Sequence, residues 1–335
     1  MSDTSIEFLA IGDIVTDAFI ELQHAWIETD NPENNKELCM LFGDKLPYSD
    51  VVVVPAVGNS PNASVAAHRL GLRSALATDM GDDSYGKEQL ATLKEGGMNT
   101  DYVRVHPGMK SNYHFVLRFK EERTILVNHQ EYPYSLPDLK EAPKWMYLSS
   151  LAENSLPYHD ALAEYLQKNP EVNLAFQPGT FQIRLGYERL KKLYRLSKLF
   201  FCNVEEAKRI LNKKGEQMEI IDLLKQTREL GPDIVIITDG PDGAYSYDGT
   251  EAWHMPMYPD PKPPVDRTGA GDSFSSTFTS ALALGKTIPE ALQWGPINSM
   301  SVVQEIGAQK GLLTREKLEE YLANRPEDYV PQKLE

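Results

Sequence analysis

The sequence predicts an α/β protein in three α/β/α layers, with a mostly parallel β-sheet between two layers of helices. Short apolar runs rich in β-branched residues alternate with segments of helical periodicity along most of the 335-residue chain. Neighbouring parallel strands need a crossover, usually a helix, so this alternation is typical of a parallel sheet covered on both faces. No internal repeat and no long low-complexity segment interrupts it.

The expected elements follow in order along the chain. Strands are expected at residues 6–12, 51–55, 74–78, 145–149, 172–176, 199–202 and 234–238. Helices are expected at residues 61–70, 85–95, 157–168, 186–196, 204–211, 216–230, 273–284, 289–304 and 314–323. Pro61 lies in the first turn of one helix and Gly71 just past its end, the usual positions of these residues at helix termini.

Two stretches depart from the alternation. Residues 18–57 lack helical periodicity, and residues 113–119 and 124–129 predict a pair of strands. Residues 18–57 and 108–131 could form a small β lid, inserted twice into one domain that spans residues 1–335. A lid that excludes water would suit an enzyme whose substrate must be protected from hydrolysis. A plain β excursion over a sheet edge explains the pattern equally well.

Composition and charge exclude several classes of function. The formal net charge of −15 disfavours non-specific binding to nucleic acid or to an anionic membrane. A nest of backbone N–H groups can hold a phosphate even in an acidic protein, so a nucleotide substrate stays open. Cys39 and Cys202 lack metal-ligand spacing and suggest reduced, ordinary thiols. Because Asp13 interrupts the first apolar stretch, we expect no signal peptide, no transmembrane span and a cytoplasmic protein.

Residues 265–274 carry the strongest functional signal. Backbone N–H groups can crowd round an anion where residues are small, as at Gly269, Ala270 and Gly271. A predicted helix follows, and its first N–H groups add to the same site. Asp272 comes directly after the small residues and could act as a base beside the bound anion. Phosphoryl transfer to a hydroxyl needs this pair, although these residues alone could be only a helix N-terminus with a capping acid.

Two segments that follow predicted strands could contribute to the same site. Thr238, Gly240 and Gly243 belong to a tight glycine turn, which would let the backbone approach a nucleotide closely. Asn203 and Glu206 begin a helix, where they would also form an ordinary capping pair.

A third polar segment leads into the helix expected at residues 61–70. It contains Gly58, Asn59 and Asn62, and a simple turn with a helix cap would explain the same residues.

Two familiar nucleotide-binding patterns are absent. Residues 81–88 resemble a P-loop, but Glu88 stands where Ser or Thr should bind Mg²⁺, and Asp82 and Asp83 would repel a phosphate. A strand-to-helix turn with acids near the helix start explains them better. The dinucleotide fingerprint fails because Phe274 stands at its third glycine position.

Taken together and in this order, the segments resemble the ribokinase-like (PfkB-type) family of carbohydrate kinases over nearly the whole chain. The resemblance implies that Asp272 is the base and that residues 269–271 form the anion hole. It implies sugar contacts from Asp13, Asp17, Gly58, Asn59 and Asn62. It implies nucleotide contacts from Asn203, Glu206, Thr238, Gly240, Gly243 and Asn298.

The resemblance also implies metal ions. Glu206 would hold Mg²⁺ through water, and Asp266, Thr268 and Gly307 could hold K⁺. The implied activity is ATP-dependent phosphorylation of a hydroxyl of a pentose- or hexose-type sugar, and the lid could pair two subunits in a homodimer. No nucleic-acid or membrane partner is expected.

Two alternative functions stay open. The first is a nucleoside kinase, in which Tyr113, Phe115 and Phe119 could stack on a base, although they could equally form the core of the lid. The second is a non-catalytic sensor of sugars or nucleotides. The presence of Asp272 argues against the sensor, because a protein without turnover has no need of a base.

The chain departs from the family pattern at several positions. Val57 replaces the first glycine of a pair, Ser276 and Thr277 replace a common Gly-Ala, and residues 177–180 lack the D-x-N-x-R pattern of some sugar-acid and fructose kinases. This last difference weakens those substrates. Arg267 stands where a small or β-branched residue is usual. It could stabilise the transferring phosphate or be a solvated loop arginine paired with an acid.

Overall fold

The structure is a computed structural model that describes residues 5–29, 36–120 and 122–334. Its strands, numbered in chain order, are β1 (Phe8–Ile11), β2 (Val15–Leu22), β3 (Trp26–Glu28), β4 (Glu37–Cys39), β5 (Tyr48–Val57), β6 (Ser74–Gly81), β7 (Val103–His106), β8 (Tyr113–Phe119), β9 (Glu122–Leu126), β10 (Trp145–Leu148), β11 (Asn173–Phe176), β12 (Ser197–Asn203), β13 (Ile234–Thr238), β14 (Ala244–Tyr247), β15 (Ala252–Met255) and β16 (Gln332–Leu334). Its helices are α1 (Asn59–Arg69), α2 (Ser84–Glu95), α3 (Leu156–Lys168), α4 (Thr180–Leu185), α5 (Tyr187–Leu196), α6 (Val204–Ile210), α7 (Ile220–Glu229), α8 (Ala270–Ala283), α9 (Ile288–Val302) and α10 (Arg315–Ala323).

The central sheet is mostly parallel, as predicted. Among the described residues ten strands form it, in the order β16-β15-β14-β13-β12-β11-β10-β1-β6-β7. Neighbours from β7 to β13 are parallel, whereas β13 to β16 pair in antiparallel fashion at one edge. The carboxyl ends of the parallel strands therefore meet along one edge of the sheet, where α/β proteins usually bind ligands.

Both faces of the central sheet are covered by helices. Along β1, Phe8 and Ala10 belong to one apolar cluster and Leu9 and Ile11 to another, and none of the four is more than 1% exposed. Helices α1, α8, α9 and α10 contribute to the first cluster, and α3, α5, α6 and α7 to the second. Strands that are buried on both faces are apolar along their whole length, as β1 is. The predicted three-layer fold is confirmed.

A second, four-stranded sheet has the order β5-β2-β8-β9. It combines strands from the two stretches that depart from the α/β alternation, while β3 and β4 form a separate hairpin. The strand expected at 113–119 is β8, and the one expected at 124–129 is β9, which begins and ends earlier. Part of the proposed 18–57 segment, residues 30–35, lies outside the described residues.

Several elements were not predicted. Strand β2 pairs with β8, almost a hundred residues further along the chain, and non-local pairing of this kind leaves little trace in a local pattern. The edge strands β14, β15 and β16 and the helix α4 are too short for periodicity to reveal them. The helix expected at 216–230 is observed as Ile220–Glu229.

The segment that resembles a P-loop is a strand-to-helix turn, as expected. Asp83 caps α2 by accepting a hydrogen bond from the backbone N–H of Gly86 at 2.9 Å. A Cβ at residue 86 would lie 2.0 Å from the carbonyl oxygen of Gly81, so the glycine is required by packing within the turn.

In the part of the chain that the structure describes, no helix is both long and apolar enough to cross a lipid bilayer.

Candidate active site

A cavity of about 840 Å³ lies at the carboxyl ends of the parallel strands. Its floor carries polar side chains at or just after the ends of β1, β11, β12 and β13, namely Asp13, Gln177, Asn203 and Thr238. Its opposite wall comes from one face of the second sheet, with Asp17, His114, Arg123 and Ile125. The second sheet therefore covers the edge where a parallel sheet usually binds ligands.

Asp272 lies in the first turn of α8 and accepts hydrogen bonds from three side-chain amides. Nδ2 of Asn59 lies 2.7 Å from Oδ1, Nδ2 of Asn62 lies 2.9 Å from Oδ2, and Nε2 of Gln177 lies 3.2 Å from Oδ1. Asn59 and Asn62 lie in the first turn of α1, and Gln177 directly follows β11. The carboxylate thus stands in the cavity held by neutral donors.

Burial and hydrogen bonding act in opposite directions on Asp272. Burial raises the pKa of the carboxyl group, whereas the amides of Asn62, Asn59 and Gln177 and the charge of Arg123 lower it, and the pKa is raised overall. A carboxylate with a raised pKa is a stronger base, and the hydrogen bonds keep it in one orientation.

Gln177 is a site residue that sequence reasoning treated only as a departure from the family pattern. Its amide oxygen accepts a hydrogen bond from the hydroxyl of the buried Tyr147, which turns the amide nitrogen toward Asp272. Burial, followed by the charge of Asp272, raises the pKa of Tyr147, so its hydroxyl remains a donor. No local motif marks either residue. Tyr147 lies within the buried strand β10, and Gln177 directly follows β11.

The anion hole expected at residues 269–271 forms the start of α8. Gly269 caps the helix in a left-handed conformation with φ of 81°. A Cβ there would lie 2.3 Å from Cβ of Ala308, so only glycine fits. The backbone N–H groups of Gly271 and Asp272 have no acceptor among the described residues, as is usual at a helix N-terminus, and Gly271 lines the cavity.

Asn203 and Glu206 line the cavity and also form the capping box that was the simpler expectation. The backbone N–H of Glu206 donates to Oδ1 of Asn203, and the N–H of Asn203 donates to Oε2 of Glu206, both at 2.9 Å. The other carboxylate oxygen of Glu206 accepts no hydrogen bond from the described residues. Burial, and to a lesser extent the charge of Asp272, raise the pKa of Glu206.

The predicted nucleotide residues are only partly brought to the cavity. Thr238 lines it, whereas Gly240 and Gly243 lie in the adjoining turn, with φ of 51° and 91°. Asn298 is fully buried and outside the cavity lining. Its amide nitrogen donates to Oγ1 of Thr277 at 2.7 Å and its oxygen accepts from the N–H of Leu313 at 2.9 Å, so it connects α9 to α8 and to the following loop.

Asp266, Thr268 and Gly307 meet just after the proline-rich loop of residues 256–265. Oδ1 of Asp266 accepts from the N–H and hydroxyl of Thr268 at 3.0 and 2.7 Å, and Oδ2 accepts from the N–H of Gly307 at 3.1 Å. Asp266 is buried and pairs with no Lys or Arg among the described residues. A buried carboxylate with only neutral donors is a site that a monovalent cation fits.

The lining of the cavity includes two aspartate–histidine contacts. Asp13 accepts from the hydroxyl of Tyr134 at 2.7 Å and lies 2.9 Å from Nδ1 of His129. Asp17 lies 3.4 Å from Nδ1 of His114, and its Oδ1 is buried without a hydrogen-bond partner among the described residues. Sequence reasoning named the aspartates but missed the histidines and the tyrosine.

Tyr113, Phe115 and Phe119 do not line the cavity, so the structure does not support base stacking by these residues there. Tyr113 packs on Tyr85 and Phe115, with ring centroids 4.5 and 5.2 Å away, and Phe115 is 44% exposed. An aromatic ring that does line the cavity is that of Phe181, which packs edge-on against His129. Arg267 is exposed at the cavity rim and lies close to Asp260.

A mostly parallel α/β sheet with a carboxylate beside a free helix N-terminus defines a phosphotransferase type of site. The family model described as pfkB family carbohydrate kinase matches residues 36–315, and the chain belongs to this family. The ribokinase of Bacillus subtilis (strain 168) is 29% identical over 273 residues, which cover 79% of this chain and 87% of that protein.

Solved structures show the same fold. A ribokinase of Arabidopsis thaliana complexed with ribose and ATP has a TM-score of 0.77 at 18% identity, covering 95% of this chain and 99% of the other. A nucleoside kinase of Burkholderia thailandensis in complex with inosine has a TM-score of 0.76 at 16% identity, covering 97% and 99%. The resemblance inferred from the motifs is confirmed, and the protein is a carbohydrate kinase of the ribokinase type.

Proposed function

We propose that the protein transfers the γ-phosphoryl group of ATP to a hydroxyl of a neutral sugar, with Asp272 as the base. The observation that carries this proposal is the position of Asp272. Its carboxylate is held by three amides and lines the same cavity as the aspartate–histidine contacts and Gly271 at the start of α8.

In the proposed reaction, Asp272 accepts the proton of the acceptor hydroxyl as the hydroxyl oxygen forms a bond to the γ-phosphorus. The bond from that phosphorus to the oxygen bridging to ADP breaks at the same time, and ADP leaves. The N–H groups of Gly271 and Asp272 stabilise the negative charge on the transferring group. Positioning supplies most of the remaining rate, because this chemistry needs little covalent help from the protein.

Metal ions would complete the charge balance. Glu206, whose other carboxylate oxygen is free beside Asn203, would hold Mg²⁺ through water, and the ion would neutralise charge that develops on the phosphates. The described residues include no cluster of three or more acids, histidines or cysteines suited to a metal. Asp266, with Thr268 and Gly307, would hold K⁺.

A neutral acceptor agrees with the charges around the cavity. Asp13, Asp17, Glu131 and Glu153 line it, Arg184 pairs with Glu153 at 2.8 Å and the charge of Arg123 acts on Asp272, so carboxylates outnumber arginines in the lining. Carboxylates and histidines match sugar hydroxyls well, whereas a second anionic group on the acceptor would meet like charge. Pentoses and hexoses therefore fit better than sugar acids.

The second sheet would act as the lid of this cavity and as a surface for dimerisation. Its inner face lines the cavity, and its outer face carries Val53, Phe115 and Leu126, which are 46%, 44% and 51% exposed. Val53 and Phe115 both lie opposite Ala18, and Phe115 lies opposite Leu126, so the three form an apolar row across the sheet. An exposed apolar face of this kind favours association with a second copy.

An ADP-release assay with a panel of sugars and nucleosides tests the proposed function. We expect turnover with a pentose or hexose, and loss of turnover by orders of magnitude in Asp272→Asn with ATP binding retained. Asp260→Asn is the matched control, because it removes the same charge from an exposed position. Retained turnover in Asp272→Asn would exclude it as the base. Turnover only with nucleosides would favour a nucleoside kinase, and binding without any turnover would favour a sensor.

A further inference from the structure

A chain of hydrogen bonds connects the lid strand β5 to Asp272 through Gln309. Nε2 of Gln309 donates to the carbonyl oxygen of Ala56 at 2.8 Å and to Oδ1 of Asn62 at 3.0 Å. Nδ2 of Asn62 then donates to Oδ2 of Asp272 at 2.9 Å. Gln309 itself does not line the cavity, so it reaches Asp272 only through Asn62.

The direction of every donor in this chain follows from its first member. A backbone carbonyl can only accept, so the Ala56 oxygen requires the nitrogen of the Gln309 amide to face it. The second hydrogen of that nitrogen requires the Asn62 amide to present its oxygen. The nitrogen of Asn62 must then point at Asp272, so Gln309 reinforces the orientation that the carboxylate, which can only accept, also favours.

Ala56 occupies an unusual backbone conformation. Its φ is 59°, a value that alanine adopts rarely, and the pairing of β5 with β2 shifts register at this position. A shift of this kind is a β-bulge, and it bends the chain where β5 leaves the second sheet for α1. The Ala56 carbonyl is therefore aimed at Gln309 by the conformation of the junction between lid and body.

The main chain around Gln309 is held on the other side. Nη1 of Arg69 donates to the carbonyl oxygens of Gln309 and Leu312 at 2.8 and 2.7 Å. Gly307 donates to the buried Asp266, and Ala308 packs against Gly269 at the start of the anion hole. The loop thus contacts the lid junction, Asn62 beside the base, and Gly269 at the start of α8.

We propose that Gln309 is a positioning residue that orients Asn62 toward the base and ties that orientation to the lid junction at Ala56. This inference rests on the proposed role of Asp272 as the base. Gln309 does not line the cavity, so its effect is on the base and not on either substrate.

The other charged or titratable groups around Asp272 come from separate elements. They are Arg123 on β9, Glu206 on α6 and Tyr147 on β10. Gln309→Met leaves all three in place and adds no charge, so a change in the titration of Asp272 in that variant can be assigned to Asn62.

The test compares Gln309→Glu, Gln309→Met and Lys310→Gln. A carboxylate at residue 309 cannot donate to Asn62 and competes with Asp272 for the Asn62 amide nitrogen, so the hydrogen bond from Asn62 to the base is weakened. Methionine keeps the size of the side chain but enforces no orientation. Lys310→Gln changes the net charge by the same amount as Gln309→Glu on the neighbouring residue, whose side chain is 72% exposed.

For Gln309→Glu we expect kcat to fall about tenfold, the effect of one lost hydrogen bond, with both KM values within about twofold of wild type. The acid limb of the kcat profile should move to higher pH. Gln309→Met should show a smaller fall in kcat, and Lys310→Gln should match wild type. Wild-type kcat and pH profile in both Gln309 variants would overturn the inference, as would a loss of thermal stability with an unmoved acid limb.

A second measurement separates this inference from the proposed function. Carboxyl ¹³C NMR of the protein without substrates, with Asp272→Asn used for assignment, follows the titration of Asp272 directly. A raised pKa of Asp272 in Gln309→Met, which adds no charge, but not in Lys310→Gln supports the positioning role even if no sugar is phosphorylated. An unchanged titration of Asp272 in Gln309→Met contradicts it even if wild type is an active kinase.

Discussion

Nδ2 of Asn62 lies 2.9 Å from Oδ2 of Asp272, although the two residues are 210 positions apart in the chain. Asn62 is 3% exposed and lines the cavity beside the carboxylate. The contact brings the turn before α1 to the start of α8, so the polar segment that could have been a simple helix cap instead supports the proposed base.

Asn62→Asp would place a second carboxylate against Asp272. Two carboxylates in contact cannot both ionise, so they would share a proton and the pKa of the pair would rise. We expect kcat at neutral pH to fall on the order of a hundredfold, with partial recovery as the pH rises. The pH dependence of kcat checks this. Asn62→Ala, which removes the donor without adding charge, should lower kcat without this recovery. Equal pH profiles for the two variants would contradict the expectation.

Gly269→Ala would combine backbone strain with a collision against Ala308. Strain alone is measured by Gly285→Ala, because Gly285 has φ of 84° but no atom within 4 Å of the added Cβ. We expect Gly285→Ala to lower the free energy of unfolding by about 1 to 2 kcal/mol with activity retained. Gly269→Ala should lose more stability and most of its kcat. Urea unfolding and the ADP-release assay check both, and equal effects would show that the collision is relieved.

His159 should make the protein less stable in acid. Burial lowers the pKa of His159 to about 4, and the ring accepts a hydrogen bond from Gln182 and lies 2.7 Å from the Ser155 carbonyl oxygen. The pKa of His159 is lower in the folded protein than in the unfolded chain. The stability is therefore fully present above the unfolded pKa and is lost as the pH falls from the unfolded pKa toward the folded pKa.

This loss amounts to about 2 kcal/mol between pH 7 and pH 5. Urea unfolding of wild type and His159→Gln at both pH values should show a smaller acid loss in the variant. His24→Gln, at an exposed position, serves as the control. The same acid loss in His159→Gln as in wild type would show that other groups cause it.

K⁺ should activate the enzyme through Asp266. At constant ionic strength, we expect higher kcat and a higher thermal midpoint in KCl than in N-methylglucamine chloride, since a ligand that binds only the folded state stabilises it. Asp266→Asn should abolish both differences. An effect of K⁺ that survives in Asp266→Asn would assign the cation to another place.

Phe115→Glu should convert a dimer to a monomer. The charge would lie in the middle of the apolar row on the outer face of the lid. Sedimentation velocity of wild type, Phe115→Glu and Val330→Glu checks this. Val330→Glu is the control, because Val330 is 39% exposed but lies next to β16, an edge strand of the central sheet. A monomeric wild type, or dissociation by both variants, would reject the lid face as the interface.

The central sheet and the start of α8 could be read from the sequence because both are local signals. A buried parallel strand is an apolar run, and small residues before an acid at a helix start predict free N–H groups wherever they occur. The capping box of Asn203 and Glu206 is equally local, since its two hydrogen bonds join residues three positions apart. The resemblance to the carbohydrate kinases added roles to these positions.

The environment of Asp272 was decided only by the tertiary structure. Gln177 and Gln309 carry no pattern that marks them, and Asn298, which matched a nucleotide position, instead joins α8 and α9. Tyr113 and Phe115 matched a base-stacking role but pack with each other outside the cavity.

The sequence by itself therefore determined the fold class, and it predicts the anion hole and the base that we propose. The hydrogen bonds that hold this base, and the junction at Ala56 to which Gln309 connects it, depend on contacts between residues up to 253 positions apart. A side-chain amide can donate or accept in either orientation, and only its neighbours in the folded protein decide which.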